Sequence, residues 1–489
     1  MIPLQILVAA FVAISIYLFV FRKRPIASAH APLPAVPGWP LIGNLLQLKE
    51  KKPYKTFATW AAIYGPIYSI RLGFSTVIVV NTTDVAKEAM VTKFQSISTR
   101  KLSKALNILT QEKSMVATSD FNDFHKTAKR HLLASVVGPT AQKRFRGLRD
   151  SMMESLSKRL RCSGEVVNFR EIFEEELFSL ALKEAIGLDL ESVYVRELDS
   201  TLTKTHMLKI IVHDMMEGAI CVDWRDFFPA LSWVPNPRFE STIGRLSFRR
   251  LAVVDALINH AKNQPTECES YLKHLLENGK ALTEKQISML VWEAIIEASD
   301  TTLVVVEWAL FELAKNPNLQ HRLYEELNNV CAGEKVAEER LPELYYLNAV
   351  MHETLRKYSP APIVPLRYVH EETEIGGYKI AAGSEIAINI YGCNMDAKQW
   401  ESPQEWKPER FLDKKYVIND LHKTMAFGAG KRACAGSLQA MLIGSMAVGR
   451  LVQEFHWKLS PEEEEDVDFV GLTTRKLHPM LALVRPRSP

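Results

Sequence analysis

The sequence predicts a mainly α-helical protein with small β-sheets, preceded by one N-terminal transmembrane helix. Three features indicate this: an uncharged apolar N-terminal run, a very long apolar helical pattern near residue 300, and two short β-branched segments. The composition, 47% apolar and 24% charged, is that of a folded globular protein rather than a disordered one. A net charge of +3 gives no indication of nucleic-acid binding.

The N-terminal run predicts a membrane anchor. Residues 2–21 carry no charge and have the length of a bilayer-spanning helix. The basic residues 22–24 follow at once, which favours a cytosolic body next to this flank. A removed targeting peptide is the alternative, but its charges would normally precede the apolar run. We therefore predict an anchor at 1–21, a basic and proline-rich connector at 22–46, and one large domain at 47–489.

Two short segments predict small sheets, and the rest of the body shows mostly helical spacing. Residues 67–81 are β-branched around Gly73, which predicts a hairpin, and residues 378–392 form a second β region. The segment that begins at Thr283 has a capping box with Gln286. It continues to an Asn-Pro pair at 316–317, which predicts a buried helix of roughly 33 residues.

The middle of this long helix contains a polar cluster, at Glu297 and residues 299–302. Polar groups in a buried helix are costly unless they are paired. Such a local exception to the apolar pattern is typical of a functional site. A helix that reaches the surface at this point is the alternative.

The string MAFGAGKRACAG, residues 425–436, carries a cysteine among glycines and basic residues. It is not a phosphate-binding loop, because Met425 and Arg432 stand where glycine and Ser/Thr are required. A dinucleotide fingerprint fails at Ala433. The six cysteines contain no CxxC pair, which argues against a zinc site or a disulfide framework. The string matches FxxGxRxCxG at Phe427, Gly430, Arg432, Cys434 and Gly436.

This string resembles the haem-ligand loop of the cytochrome P-450 superfamily, the haem-thiolate monooxygenases. The segments ETLR and KPERF match two further motifs of the family. The segment EASDTT resembles [AG]GxDT[TS], with Glu297 and Ala298 in place of a small residue and glycine. The resemblance implies the P-450 fold, with haem b between the long oxygen-binding helix and the Cys-ligand loop. It also implies a buried network of Glu353, Arg356 and Arg410, although an exposed helix pair is the alternative for ExxR alone.

The resemblance assigns roles to individual residues. Cys434 is the thiolate ligand of the iron, which favours cleavage of the O–O bond. Asp300 and Thr301 deliver protons to the oxygen, Phe427 packs against the ligand loop, and Gly436 lets the next helix approach the ring. The residues implied to bind the haem propionates are Arg367, Arg432, His125 and Lys129, with Arg130 as an alternative to Lys129.

Further segments, among them FQSISTRKLSKAL and YGCNMDAKQWESPQEWKPERF, resemble the ent-kaurene oxidases of plants. This resemblance extends from about residue 33 to about residue 484. It implies that a methyl group of a hydrophobic diterpene is oxidised through the alcohol and aldehyde to the acid in gibberellin biosynthesis. The implied pocket segments are residues 104–118, Ile296 and Glu297, 359–365 and 471–474.

The implied partners are O2 and an NADPH-cytochrome P-450 reductase, because the sequence carries no flavin or nicotinamide motif. The implied location is the endoplasmic reticulum or the plastid outer envelope. Two alternatives stay open: a paralogous diterpene oxidase of defence metabolism, and a haem protein that acts as an electron carrier or gas sensor.

Overall fold

The computed structural model describes residues 11, 32–48, 52–264, 268–412, 423–461, 463, 469, 470 and 472–487. Apart from Phe11, the predicted anchor lies outside the described residues, as do residues 22–31 of the connector and most of the acidic stretch 462–466. Within the described ranges, no helix combines the length and apolarity needed to cross a bilayer.

Helices make up most of the described chain and the strands are short, which confirms the predicted mainly α-helical body with small β-sheets. The α-helices are α1 Pro53–Tyr64, α2 Thr83–Lys87, α3 Lys104–Leu109, α4 Asp123–Leu132, α5 Pro139–Arg144, α6 Arg146–Cys162, α7 Phe169–Ile186, α8 Lys204–Leu208, α9 Asp214–Ala219, α10 Pro237–Asn263, α11 Tyr271–Asn278, α12 Glu284–Lys315, α13 Pro317–Cys331, α14 Tyr345–Lys357, α15 Ile390–Asn394 and α16 Ser437–Glu454. The strands are β1 Ile67–Leu72, β2 Ser75–Val80, β3 Thr99–Arg100, β4 Val166–Asn168, β5 Ser192–Val195, β6 Ser200–Thr203, β7 Arg367–Tyr368, β8 Thr373–Ile375, β9 Tyr378–Ile380, β10 Glu385–Ile388, β11 Phe455–Leu459, β12 Phe469–Val470, β13 Arg475–Lys476 and β14 Leu481–Pro486.

The predicted hairpin is confirmed: β1 and β2 pair antiparallel, with Ile67 opposite Val80. Gly73 turns the chain with φ +62°, and a Cβ there would lie 2.3 Å from the carbonyl oxygen of Phe227. Only glycine fits this turn. The hairpin extends into a five-stranded sheet of order β1-β2-β10-β7-β3, in which β10 runs parallel to β2.

The second predicted β region is correct only in part. Strands β9 and β10 lie within residues 378–392, but Ile390–Asn394 forms the helix α15. Asn389 ends the strand, because its side-chain amide donates to Tyr54 O at 2.9 Å and to Asn81 Oδ1 at 2.8 Å. These buried contacts hold the chain against α1, so the backbone leaves the sheet one residue later. Sequence patterning gave no signal for this long-range contact.

The predicted long helix is confirmed as α12, a helix of 32 residues. The Thr283 side chain accepts a hydrogen bond from the backbone N–H of Gln286, and the Gln286 side chain accepts one from the backbone N–H of Thr283. The helix ends before Asn316. At 1.5 Å per residue it is about 48 Å long. Trp308 is fully buried in an apolar cluster that α12 shares with α6, α7, α14 and α16. The middle of α12 is thereby held next to the start of α16, the helix that follows Cys434.

Candidate active site

A cavity of about 330 Å³ lies between the middle of α12 and the segment around Cys434. Apolar side chains, among them Val136, Val364 and Ile443, contribute much of its wall. The structure thus brings the polar cluster of the long helix and the cysteine string to one site. The lining residues from α12 are Glu293, Ala294, Glu297, Ala298, Thr301, Thr302 and Val305.

The loop that carries Cys434 is held by backbone contacts. The N–H of Cys434 donates to Phe427 O at 2.9 Å. Gly430 has φ +70°, and a Cβ there would lie 2.7 Å from Met90 O, so this close approach requires glycine. Lys129 donates from Nζ to Lys431 O at 3.0 Å and to Ala433 O at 3.2 Å. The loop is therefore fixed to α4 and to the segment after α2.

Cys434 lines the cavity, and its side chain is accessible to a ligand although it is largely surrounded by protein atoms. Burial, helped by the nearby Glu297 carboxyl group, raises the pKa of the thiol to about 11, while the backbone N–H of Gly436 and the Lys129 ammonium oppose this shift. A bound cation would favour the thiolate at this position. A Cβ on Gly436 would lie 4.0 Å from Cys434 Sγ, so the absence of a side chain there leaves space beside the sulfur.

His125 and Arg432 form a polar pair on the cavity wall. Arg432 donates from Nη1 to His125 Nδ1 at 2.9 Å and from Nη2 to Ser119 O at 2.6 Å. The Ser119 hydroxyl oxygen lies 3.0 Å and the Val116 carbonyl oxygen 3.1 Å from the same Nδ1. His125 Nε2 is buried and has no hydrogen-bond partner among the described residues.

Two further arginines complete a buried cationic cluster. Arg100 on β3 and Arg367 on β7 are register partners across the two strands. Arg100 lines the cavity and donates to Ala117 O and Pro365 O, both at 3.0 Å. Nε and Nη1 of Arg367 have no partner in the described part of the chain. Burial and the neighbouring Arg432 lower the pKa of Arg367 to about 10.

This arrangement fits a haem group. Buried donors without acceptors are costly, and carboxylates such as the propionates would satisfy them. The Cys434 thiol lines the same cavity and can bind iron. Of the two predicted alternatives, Lys129 lines the cavity, whereas Arg130 is exposed.

The acid and the alcohol predicted on the long helix point in different directions. Thr301 lines the cavity, and its hydroxyl donates to Glu297 O at 3.1 Å. Asp300 does not line the cavity. Its carboxylate accepts from the Thr473 hydroxyl at 2.9 Å and lies 3.4 Å from Arg475 Nη1. Burial raises the pKa of Asp300.

Glu353, Arg356 and Arg410 form one buried network behind the cavity. Arg356 donates to Glu353 through Nε at 2.7 Å and through Nη2 at 2.8 Å. Arg410 Nε adds a contact to Glu353 at 3.1 Å. The same arginines donate to backbone carbonyls of residues 394–405. Because Leu355 of this helix lines the cavity, the network fixes one of its walls.

The predicted pocket segments contribute unequally. From the segment 104–118 only Val116 and Ala117 line the cavity, whereas four residues of 359–365 line it. Glu297 lines it, whereas Ile296 does not and is buried in an apolar cluster beside it. None of the described residues in 472–474 lines it, and Gly471 lies outside the described residues.

Sequence reasoning missed two charged residues of the cavity wall. Arg100 comes from a two-residue strand with no distinctive motif. Glu293 lies one turn before Glu297, and its carboxylate accepts from Val116 N at 2.8 Å and Ala117 N at 2.7 Å. The sequence did contain a signal for Glu293, because this charged residue is spaced one helical turn from the polar cluster.

Comparisons with known proteins agree with this site. The family model described as Cytochrome P450 matches residues 33–481. The chain is 58% identical to "Ent-kaurene oxidase" of Salvia miltiorrhiza, over 96% of this chain and 92% of the relative. It is 56% identical to "Ent-kaurene oxidase 2" of Oryza sativa subsp. japonica, over 94% and 91%. It is 49% identical to "Ent-sandaracopimaradiene 3-hydroxylase" of the same organism, over 93% and 91%.

Proposed function

Because the chain belongs to the cytochrome P450 family, we propose that it is an ent-kaurene oxidase. In this proposal it oxidises one methyl group of ent-kaurene through the alcohol and the aldehyde to ent-kaurenoic acid, a reaction of gibberellin biosynthesis. The observation that carries the proposal is the 58% identity over 96% of the chain to a relative of that name. The chain is accordingly a haem-thiolate monooxygenase, and the predicted enzyme class is confirmed.

The residues that would hold the cofactor are those of the loop and the cationic cluster. Cys434 would bind the iron, Arg432, Lys129 and Arg367 would neutralise the propionates, and the neutral His125 would donate a hydrogen bond to one of them. Arg100 joins this set on the evidence of its place in the cavity. When bound, a haem with a thiolate ligand supplies the activation of O2 for insertion into an unactivated C–H bond.

The chain's own residues position the substrate and move protons. The apolar wall favours a hydrocarbon and excludes water from the reacting methyl group. Thr301 is proposed to hold a proton at Oγ for transfer to the oxygen consumed in the reaction. Asp300 is proposed to supply protons from the opposite side of α12, where Thr473 and Arg475 hold its carboxylate.

The location of the protein is proposed to be a membrane of the endoplasmic reticulum or the plastid outer envelope. The run 2–21 is proposed to be the anchor, followed by the connector 22–46 and the catalytic domain 47–489. Large exposed apolar side chains support contact with a lipid surface, among them Trp39, Phe74, Val222 and Trp233. An NADPH-dependent reductase in the same membrane is proposed as the electron donor.

A second candidate function is oxidation of another labdane-related diterpene. It is favoured by the 49% identity to a relative named for hydroxylation of ent-sandaracopimaradiene. A paralogue with a new substrate would keep the same haem site, because that site does not select the hydrocarbon.

Co-expression with a plant NADPH-cytochrome P-450 reductase tests the two candidates. The cells are supplied with a panel of diterpene hydrocarbons that includes ent-kaurene and ent-sandaracopimaradiene, and products are identified by mass spectrometry. We expect ent-kaurenoic acid as the main product. Conversion of another diterpene without conversion of ent-kaurene would favour the second candidate. The matched control is Cys434→Ser, for which we expect no oxidation of any member of the panel.

A further inference from the structure

Glu297 places a carboxyl group on the cavity wall, in the middle of α12. It lies one helical turn after Glu293 and one turn before Thr301, and all three line the cavity. The Thr301 hydroxyl donates to the backbone carbonyl of Glu297 at 3.1 Å, which leaves the side-chain carboxyl group of Glu297 uninvolved. The exposed surface of this side chain faces the cavity.

Three other charged groups on this part of the wall already have partners. The Glu293 carboxylate accepts the backbone N–H groups of Val116 and Ala117. Arg100 donates to two carbonyl oxygens, and Lys129 holds the ligand loop. For Glu297, no donor of the described residues reaches the carboxyl oxygens within hydrogen-bonding distance. Glu297 is thus a polar contact that the folded chain leaves for a ligand.

The surroundings of Glu297 favour its protonated form. Burial raises the pKa of Glu297 to about 7, and the nearby cation of Arg100 opposes the shift. The other titratable groups near it are Glu293, Tyr271 and Cys434. A protonated carboxyl group can donate one hydrogen bond and accept others.

We propose that the Glu297 carboxyl group is the contact that retains the alcohol and aldehyde intermediates in the cavity between successive oxidations. This inference rests on the three-step oxidation proposed above. A hydrocarbon substrate offers no hydrogen bond to Glu297 and binds by apolar contact alone. The first product carries a hydroxyl group, which can donate and accept, and the second carries a carbonyl oxygen, which accepts.

Equilibrium binding by the haem-loaded enzyme tests this proposal. The wild type, Glu297→Ala, Glu297→Gln and the control Ser299→Ala are titrated separately with ent-kaurene and with its alcohol. The Ser299 hydroxyl donates to Ile295 O within the helix and does not line the cavity. For Glu297→Ala we expect the Kd of the alcohol to rise about tenfold, with less than about a twofold change for the hydrocarbon. Glu297→Gln keeps a donor and an acceptor, so its Kd for the alcohol should stay within about threefold of wild type.

A second readout is the distribution of products in a single turnover. We expect Glu297→Ala to release alcohol as the main product, whereas wild type and Ser299→Ala proceed to the acid. Haem content is measured in each variant, and loss of a buried carboxyl group without a partner should not lower it.

Three outcomes overturn the inference. Equal weakening of hydrocarbon and alcohol binding by Glu297→Ala would assign a packing role to Glu297. Unchanged alcohol binding would show that no contact exists. If the wild type released the alcohol as its product with every hydrocarbon tested, the intermediates would not be retained and the proposed role of Glu297 would fail. If the enzyme converts a hydrocarbon other than ent-kaurene to an acid, the proposed substrate fails, and the same comparison with that hydrocarbon and its alcohol decides the role of Glu297.

Discussion

Arg432 Nη1 lies 2.9 Å from Nδ1 of His125, and the Val116 carbonyl oxygen lies 3.1 Å from the same nitrogen. A guanidinium group can only donate and a carbonyl oxygen can only accept, so the first contact forms in the tautomer with its proton on Nε2 and the second in the tautomer with its proton on Nδ1. Burial, together with the charge of Arg432, lowers the pKa of His125 to about 4, so the ring is neutral at physiological pH. In the tautomer that pairs with Arg432, Nε2–H is a buried donor that lacks an acceptor in the described part of the chain.

Replacement of His125 by Phe should weaken retention of haem. The variant keeps an aromatic ring but loses the Nε2 donor, and a hydrogen bond to a carboxylate is worth about 1.5 to 3 kcal/mol. We expect haem to transfer from the variant to an excess of apomyoglobin at least about tenfold faster than it does from wild type. His131→Phe on the same helix is the control, because His131 does not line the cavity. Equal rates for all three proteins would contradict the assignment of Nε2 as a propionate donor.

Replacement of Cys434 by Ser should abolish the carbon monoxide difference spectrum that is characteristic of thiolate-ligated haem, together with activity. An alcohol oxygen is a far poorer donor to iron than a thiolate, so the electronic effect on O–O cleavage is lost. Cys162→Ser is the control, since Cys162 is an exposed thiol at the end of α6. A normal thiolate spectrum in Cys434→Ser would exclude Cys434 as the ligand.

Some parts of this site could be predicted from the sequence and others could not. The string at 425–436 and the capped helix α12 are local patterns, so each could be identified before the two were known to meet. Arg100 enters the cavity through strand pairing of β3 with β7, and a two-residue strand has no periodicity to detect. The direction of Asp300, towards Thr473 and Arg475, depends on a segment 173 residues later in the chain. Local pattern therefore predicts which elements form, whereas long-range contacts decide which side chains face the cavity.

Replacement of Thr301 by Ala should uncouple the reaction. Without the Oγ proton on the cavity wall, consumed NADPH and O2 should appear as hydrogen peroxide rather than as oxidised diterpene. We expect the product formed per NADPH to fall at least about tenfold, as is typical for loss of a proton donor. Asp300→Asn should instead slow NADPH consumption without a rise in the peroxide fraction, because Asp300 lies outside the cavity. Unchanged coupling in Thr301→Ala would refute the proton-transfer role.

Replacement of Glu353 by Gln should strongly destabilise the fold. The change leaves Arg356 and Arg410 as uncompensated buried charges. Because breaking such a buried pair typically costs about 3–5 kcal/mol, we expect the free energy of unfolding to fall by about that amount. The control is Glu343→Gln, which removes an exposed ion pair with Arg340 and should cost about 1 kcal/mol or less. Urea denaturation of the two variants measures both values. Similar losses would show that the buried network does not stabilise the cavity wall.

Stability should depend on pH through Glu184, a buried carboxyl group on α7. Its Oε2 accepts from Gln439 Nε2 at 2.5 Å, whereas Oε1 has no partner among the described residues. Burial raises the pKa of Glu184 to about 7, opposed by the charge of Arg149. The folded state thus binds the proton more tightly than the unfolded state, so this group lowers the free energy of unfolding as pH rises from about 4.5 to about 7.

The test compares wild type with Glu184→Gln at pH 5 and pH 8 by urea denaturation. We expect the variant to gain about 2 to 3 kcal/mol relative to wild type between these two values, because Gln cannot ionise. A constant difference between the two proteins over this range would contradict the assignment.

The contact of Lys129 with Ala433 O has a consequence for the order in which the enzyme is made. The two residues are 304 positions apart, so a ribosome that adds 5–20 residues per second delivers Ala433 roughly 15 to 60 s after Lys129. During that interval the first half of the haem pocket exists without the loop that closes it. Nascent chains arrested before residue 434 should therefore fail to capture haem, and cofactor loading should begin only after most of the polypeptide has been made.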